Sequence, residues 1–174
     1  MVKALRNFIK YGMVIQRAIG ALCLLGIVLI ITAGIISRYF FNSPFTWTEE
    51  LATILFIWLS FMGAGAVAGK RAHVAVDFLT GKFSPRVRDR VRIVCSLLII
   101  LLLGVMFLGG ILLLPKMTHV TIALRIPRYF YYIPITVSSF YMIMVYVEDL
   151  LIFFFPGLYK DIDAKNAQSE GVVA

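Results

Sequence analysis

The chain reads as an all-α integral membrane protein with four transmembrane helices. Three observations carry that reading. Four long runs, residues 18–37, 51–69, 93–115 and 129–147, contain none of the chain's 17 Lys and Arg or 9 Asp and Glu. Each run is 19 to 23 residues long, and a helix needs roughly 20 mainly apolar residues to cross a bilayer. Hydrophobic residues fill 61% of the 174 positions, and the mean hydropathy of +0.93 lies far from that of soluble domains. Little chain remains for a soluble domain. Residues 1–160 therefore read as a single membrane domain, and residues 161–174 as a polar, disordered tail.

The first span could be mistaken for a signal peptide, because Lys3, Arg6 and Lys10 precede it. It exceeds the usual apolar core of roughly 7–15 residues, and Arg38-Tyr39-Phe40-Phe41 is a poor cleavage site, so it reads as a retained span. Residues 3–16 bring Leu5, Phe8, Ile9 and Met13 onto one helical face. They form either an N-terminal amphipathic helix lying in the interface or a helical extension of span one.

A compact loop follows, with Asn42-Ser43-Pro44 as turn chemistry. Thr46 and Glu49 have capping-box spacing, in which a hydroxyl and a carboxylate satisfy two orphan N–H groups. Glu49 and Glu50 also favour the positive end of the helix dipole, and Trp47 is placed as an interfacial anchor. The alternative for the two carboxylates is contact with a partner's Arg or Lys. Span two ends in small residues, and Gly65 and Gly69 have the GxxxG spacing that lets helices approach closely. Whether the neighbour lies in this chain or in another subunit stays open.

In the second loop, His73 and Asp77 stand four residues apart. A metal site needs more ligands than two, so they read as an interfacial pair. Ser84-Pro85 is a helix start. Beyond it Arg86, Arg88, Arg90 and Arg92 can snorkel toward lipid headgroups. Pro127 is positioned to open the last helix, Pro134 to kink it, and Tyr129-Phe130-Tyr131-Tyr132 to form an aromatic belt. His119 reads as a solvated loop residue. Glu148 and Asp149 fall just beyond the last run, before a short apolar stretch at the interface. Cys23 and Cys95 sit in separate apolar runs, which argues against a disulfide framework or a zinc site.

Lys and Arg also set the orientation, since cytoplasmic segments are enriched in them. The two termini and the second loop hold thirteen, and the first and third loops hold four. Both termini are expected to be cytoplasmic. That topology accounts for the net charge of +8 without nucleic-acid binding.

Ion-coupled transporters and pumps usually carry ionisable or broken-helix features at the midplane. These runs hold no charge and one clear break, Pro134. Ser60, Ser96, Ser138 and Ser139 share the spans with no His, Asp, Glu or Lys that would activate them. No enzyme and no cofactor is expected, and a membrane-embedded partner or scaffold subunit remains.

The residue pattern is more specific. Arg38-Tyr39-Phe40-Phe41 is followed by Phe45-Thr46-Trp47-Thr48-Glu49-Glu50-Leu51, Phe56-Ile57-Trp58, Phe61-Met62-Gly63-Ala64 and His73-Val74-Ala75-Val76-Asp77, with Ile126-Pro127 and Pro134 later. Over roughly residues 15–155 this order resembles the small membrane subunit of tripartite ATP-independent periplasmic (TRAP) transporters, the DctQ-like family. The resemblance implies a bacterial inner-membrane protein with two partners. One is a periplasmic binding protein that captures a small organic anion, a carboxylate or sialic acid. The other is a large permease subunit that carries the anion inward on a sodium gradient. The small subunit would brace the large one and help dock the binding protein. Arg38, Trp47, Glu49 and Glu50 would then cluster at the outer face. Trp58, Gly63, Gly65 and Gly69 would pack helices, and His73 and Asp77 would lie at the inner face. An unrelated four-span assembly or sensor protein, or a small homo-oligomeric transporter, are the other readings.

Overall fold

The structure, a computed structural model, describes residues 2–40, 45–70 and 85–154. They form four helices long and apolar enough to cross a membrane. Helix α1 spans Val2–Phe40, α2 Trp47–Gly69, α3 Pro85–Leu113 and α4 Tyr129–Phe154, and a 3-10 turn, Leu114–Lys116, follows α3. The loop with His73 and Asp77 and the tail after residue 154 lie outside the described residues.

Helix α1 is one unbroken element, so the separate interfacial helix is not formed and the extension is. Its 39 residues span about 58 Å, well beyond the roughly 30 Å of a bilayer's hydrocarbon core. The physical reason lies in packing. Leu5, Ile9 and Met13 pack against Tyr141, Met142 and Val145 of α4, so protein covers the apolar face that would otherwise seek the membrane interface. The Tyr141 hydroxyl donates to the Ile9 carbonyl at 2.9 Å. Gly12 faces the Tyr141 ring, and the Tyr141 hydroxyl abuts Gly69, so these two glycines let one tyrosine sit between three helices.

Helix α1 packs along α2, α2 along α4, and α4 along α3, with α1 also reaching α4. Helix α4 is therefore central: 39% of its apolar span is buried, against 11% for α1 and for α3. Lipid tails are as apolar as these side chains, so close packing and interhelical hydrogen bonds hold the bundle together. The Ser138 hydroxyl donates to the Phe61 carbonyl at 2.6 Å, joining α4 to α2. Gly65 faces both Ser138 and the Gln16 side chain of α1. Its packing neighbours are thus within the chain, whereas a Cβ at Gly63 would meet nothing within 4 Å. Gly110 of α3 faces Thr136 of α4 in the same way. Hydroxyls of Thr32, Thr53 and Ser60 return to carbonyls one turn back at 2.7–2.8 Å, so polar groups on exposed faces stay satisfied.

Two further expectations change. Helix α4 does not stop at residue 147 but runs to Phe154, enclosing Glu148 and Asp149, both buried. They stand three and four residues after Val145, on the face that Ile9 covers. The last helix opens at Tyr129, and Pro127 instead pairs with Val120 in an isolated β-bridge.

Candidate functional site

Arg38, Trp47, Glu49, Glu50, the segment 117–128 and the start of α4 meet at one end of the bundle, termed the loop end. Thr46 does not cap α2. Its backbone is already helical (φ −68°, ψ −21°) and its side chain makes no cap hydrogen bond, whereas a capping residue needs an extended backbone. The Thr48 hydroxyl takes a related local role, donating to the Phe45 carbonyl at 2.8 Å. Trp47 stacks on Phe45 with ring centroids 5.7 Å apart.

The two adjacent carboxylates diverge, because consecutive residues on a helix do not share a face. Glu49 points toward α1, 3.7 Å from the Arg38 guanidinium, with both side chains exposed. Glu50 points toward segment 117–128. Its Oε1 accepts from the Ile122 N–H at 3.1 Å, and its Oε2 accepts from Ala123 at 3.2 Å and Leu124 at 2.7 Å. The expected cluster of four is therefore two sites, Arg38 with Glu49 and Glu50 with the loop.

Three successive backbone N–H groups around one carboxylate form an anion nest. Arg125 follows it with φ 52°, the left-handed region that turns the chain back. The Thr121 N–H donates to the Ile126 carbonyl at 2.9 Å, and the Ile126 N–H to the Thr121 hydroxyl at 3.0 Å. The Arg128 N–H donates to the carbonyl of His119, itself exposed, at 3.0 Å. The loop is thus a closed hairpin fastened to α2 through Glu50. At its tip Ile122 is 93% exposed. Between this loop and the aromatic start of α4 lies a cleft of about 440 Å³, lined by Glu50, Ile57, Arg128, Tyr131 and Tyr132.

One turn deeper, the Trp58 indole donates to the Phe130 carbonyl at 3.0 Å. In a regular helix that carbonyl would accept the N–H four residues on. The residue there is Pro134, which has no N–H. Trp58 thus satisfies the acceptor that Pro134 orphans. The proline and the tryptophan were both visible in the sequence, and the missing bond at position 130 was the signal that joins them. Gln16, Ser138 and Tyr141, which carry the packing, gave no comparable signal.

Among the arginines of α3's first turns, Arg90 is exposed; the side chains of Arg86, Arg88 and Arg92 lie outside the description. Among the described residues, no three His, Cys, Asp or Glu gather as a metal site. The loop end offers shape, hydrogen-bonded rigidity and exposed charge, the features of a contact surface.

A family model described as "Tripartite ATP-independent periplasmic transporters, DctQ component" matches residues 27–154. The chain is 35% identical over 79 residues to the sialic acid TRAP transporter permease protein SiaT of Haemophilus influenzae, covering 45% of this chain and 13% of that protein. It is 34% identical over 107 residues to another H. influenzae protein, one that carries the name TRAP transporter small permease protein (58% and 65% covered). It is 28% identical over 113 residues to the sialic acid TRAP transporter small permease protein SiaQ of Vibrio cholerae (65% and 61% covered). The chain spans less than two thirds of the length of each of these relatives. The matched stretch holds α2, α3 and α4 whole and the last third of α1, from residue 27 onward, and the chain belongs to the DctQ component family of tripartite ATP-independent periplasmic transporters.

Proposed function

We propose that this chain is the small accessory subunit of a sodium-coupled, binding-protein-dependent secondary transporter for small organic anions in a bacterial inner membrane. Its partners in that reading are a separate large permease subunit and a periplasmic binding protein. The observation that carries the reading is the absence of charge from the four apolar runs in a chain of this family. A path for an anion and its coupling ions needs polar groups at depth, so the transport chemistry belongs to the partner and this chain braces it. Relatives named for sialic acid transport favour carboxylated sugars or simpler carboxylates as cargo. Both termini face the cytoplasm in this account, which places the loop end on the periplasmic side, where the hairpin and Glu49 help dock the binding protein. His73 and Asp77 are proposed for the inner face, and Arg86, Arg88, Arg90 and Arg92 for lipid headgroups.

Of the two carboxylates, Glu49 suits a partner contact, since Glu50 already accepts three N–H groups. The Glu49→Ala, Glu50→Ala double variant is expected to lower both the recovery of the large permease on co-purification and substrate uptake. Normal assembly together with normal uptake would confine both residues to the fold of this chain.

A further inference from the structure

At the loop end, a groove of about 630 Å³ runs between α1 and α2, within the usual size of a small-molecule site. Its deeper part is apolar, with Ile31, Ile35 and Ala52. Gly34 and Thr48 close its floor, since a Cβ on Gly34 would come within 3.3 Å of the Thr48 hydroxyl. Its rim is charged, carrying Arg38 on α1 and Glu49 on α2. The two rim groups stand 3.7 Å apart, longer than the roughly 2.7–2.9 Å of a tight charge-assisted hydrogen bond. Each therefore keeps hydrogen-bonding capacity for a third group.

We propose that this groove holds one phospholipid with a primary ammonium headgroup, its phosphate on Arg38, its ammonium on Glu49 and an acyl chain along Ile31, Ile35 and Ala52. Charge complementarity selects the headgroup. One cation and one anion on the rim match a zwitterion. An anionic glycerol headgroup leaves Glu49 without a cation, and a trimethylated amine gives Glu49 no N–H to accept. The groove sits at the end of two spanning helices, the depth at which headgroup and chain part company. The inference does not rest on the transporter reading, but it competes with the partner contact proposed for Glu49.

The test uses the full chain, purified and delipidated in detergent, then offered phosphatidylethanolamine, phosphatidylcholine or phosphatidylglycerol with the same acyl chains. Native mass spectrometry counts the lipid retained. One phosphatidylethanolamine per chain is expected, held about fivefold more tightly than the other two, as one added charge contact of about 1 kcal/mol gives. Glu49→Gln should bring its retention down to that of phosphatidylcholine, and Arg38→Gln should lower retention of all three lipids. Arg38→Lys should restore part of it. Both side chains are exposed, so the variants fold, with helical circular dichroism as the control. Equal retention of the three lipids, or an unchanged preference in Glu49→Gln, would overturn the proposal. Release of the lipid when a partner membrane protein binds would assign the groove to that protein instead.

Discussion

Glu49 and Glu50 are neighbours in sequence and opposites in environment, and that difference sets their expected roles. Glu50 accepts three backbone N–H groups from a loop more than seventy residues away in sequence, and hydrogen bonds to a charged group contribute about 1.5–3 kcal/mol each. Glu50→Gln keeps the shape but removes the charge and turns one acceptor into a donor. It should lower stability by about 2 kcal/mol and speed amide hydrogen exchange at Ile122, Ala123 and Leu124. Unchanged protection of those three amides would remove Glu50 as the anchor. Glu49 lies in an exposed pair with Arg38, worth about 0–1 kcal/mol. Glu49→Gln should therefore leave stability nearly untouched, so that any loss of assembly in that variant reports a contact rather than unfolding.

At the scale of helices, α4 is the element on which the others converge, and two devices let it be so. Trp58 repairs the acceptor left by Pro134. Trp58→Phe should cost about 1–3 kcal/mol by orphaning the Phe130 carbonyl. Pro134→Ala in the same chain restores an N–H and should recover much of that loss, giving a coupling of at least about 0.5 kcal/mol in a double-mutant cycle. Additive effects would break the proposed link. Gly65 admits Gln16 and Ser138, so Gly65→Leu should cost about 1–3 kcal/mol through overpacking, while Gly63→Ala should be nearly neutral, both read by detergent-denaturation midpoints. How much of this was legible follows from what each feature depends on. The four spans depend on local composition, and hydropathy alone located them. The reach of α4 beyond its apolar run did not show, and the extension of α1 stayed one of two open readings, because both depend on mutual cover by Ile9, Tyr141 and Val145. The Thr46 capping box failed because spacing says nothing of backbone angles, and Thr46 is already helical. The hairpin nest around Glu50 joins residues 72 to 74 positions apart, a distance that no local pattern spans.

The whole molecule is a bundle with a buried centre, α4, and two largely open helices, α1 and α3. Open helices without charge at depth suit lipid or a partner equally, and membership of the DctQ family favours the partner. Orientation is separately testable. His119 is exposed on the loop-end hairpin. His119→Cys, in a chain with Cys23 and Cys95 replaced by Ala, should react with a membrane-impermeant maleimide added outside intact spheroplasts. Labelling only after lysis would invert the topology. The most direct test of the central claim, that this chain supports transport without performing it, is uptake into proteoliposomes under an inward sodium gradient with the binding protein present. The account predicts no uptake with this chain alone and uptake when it is reconstituted with the large permease subunit. Sodium-driven uptake by this chain alone would contradict it.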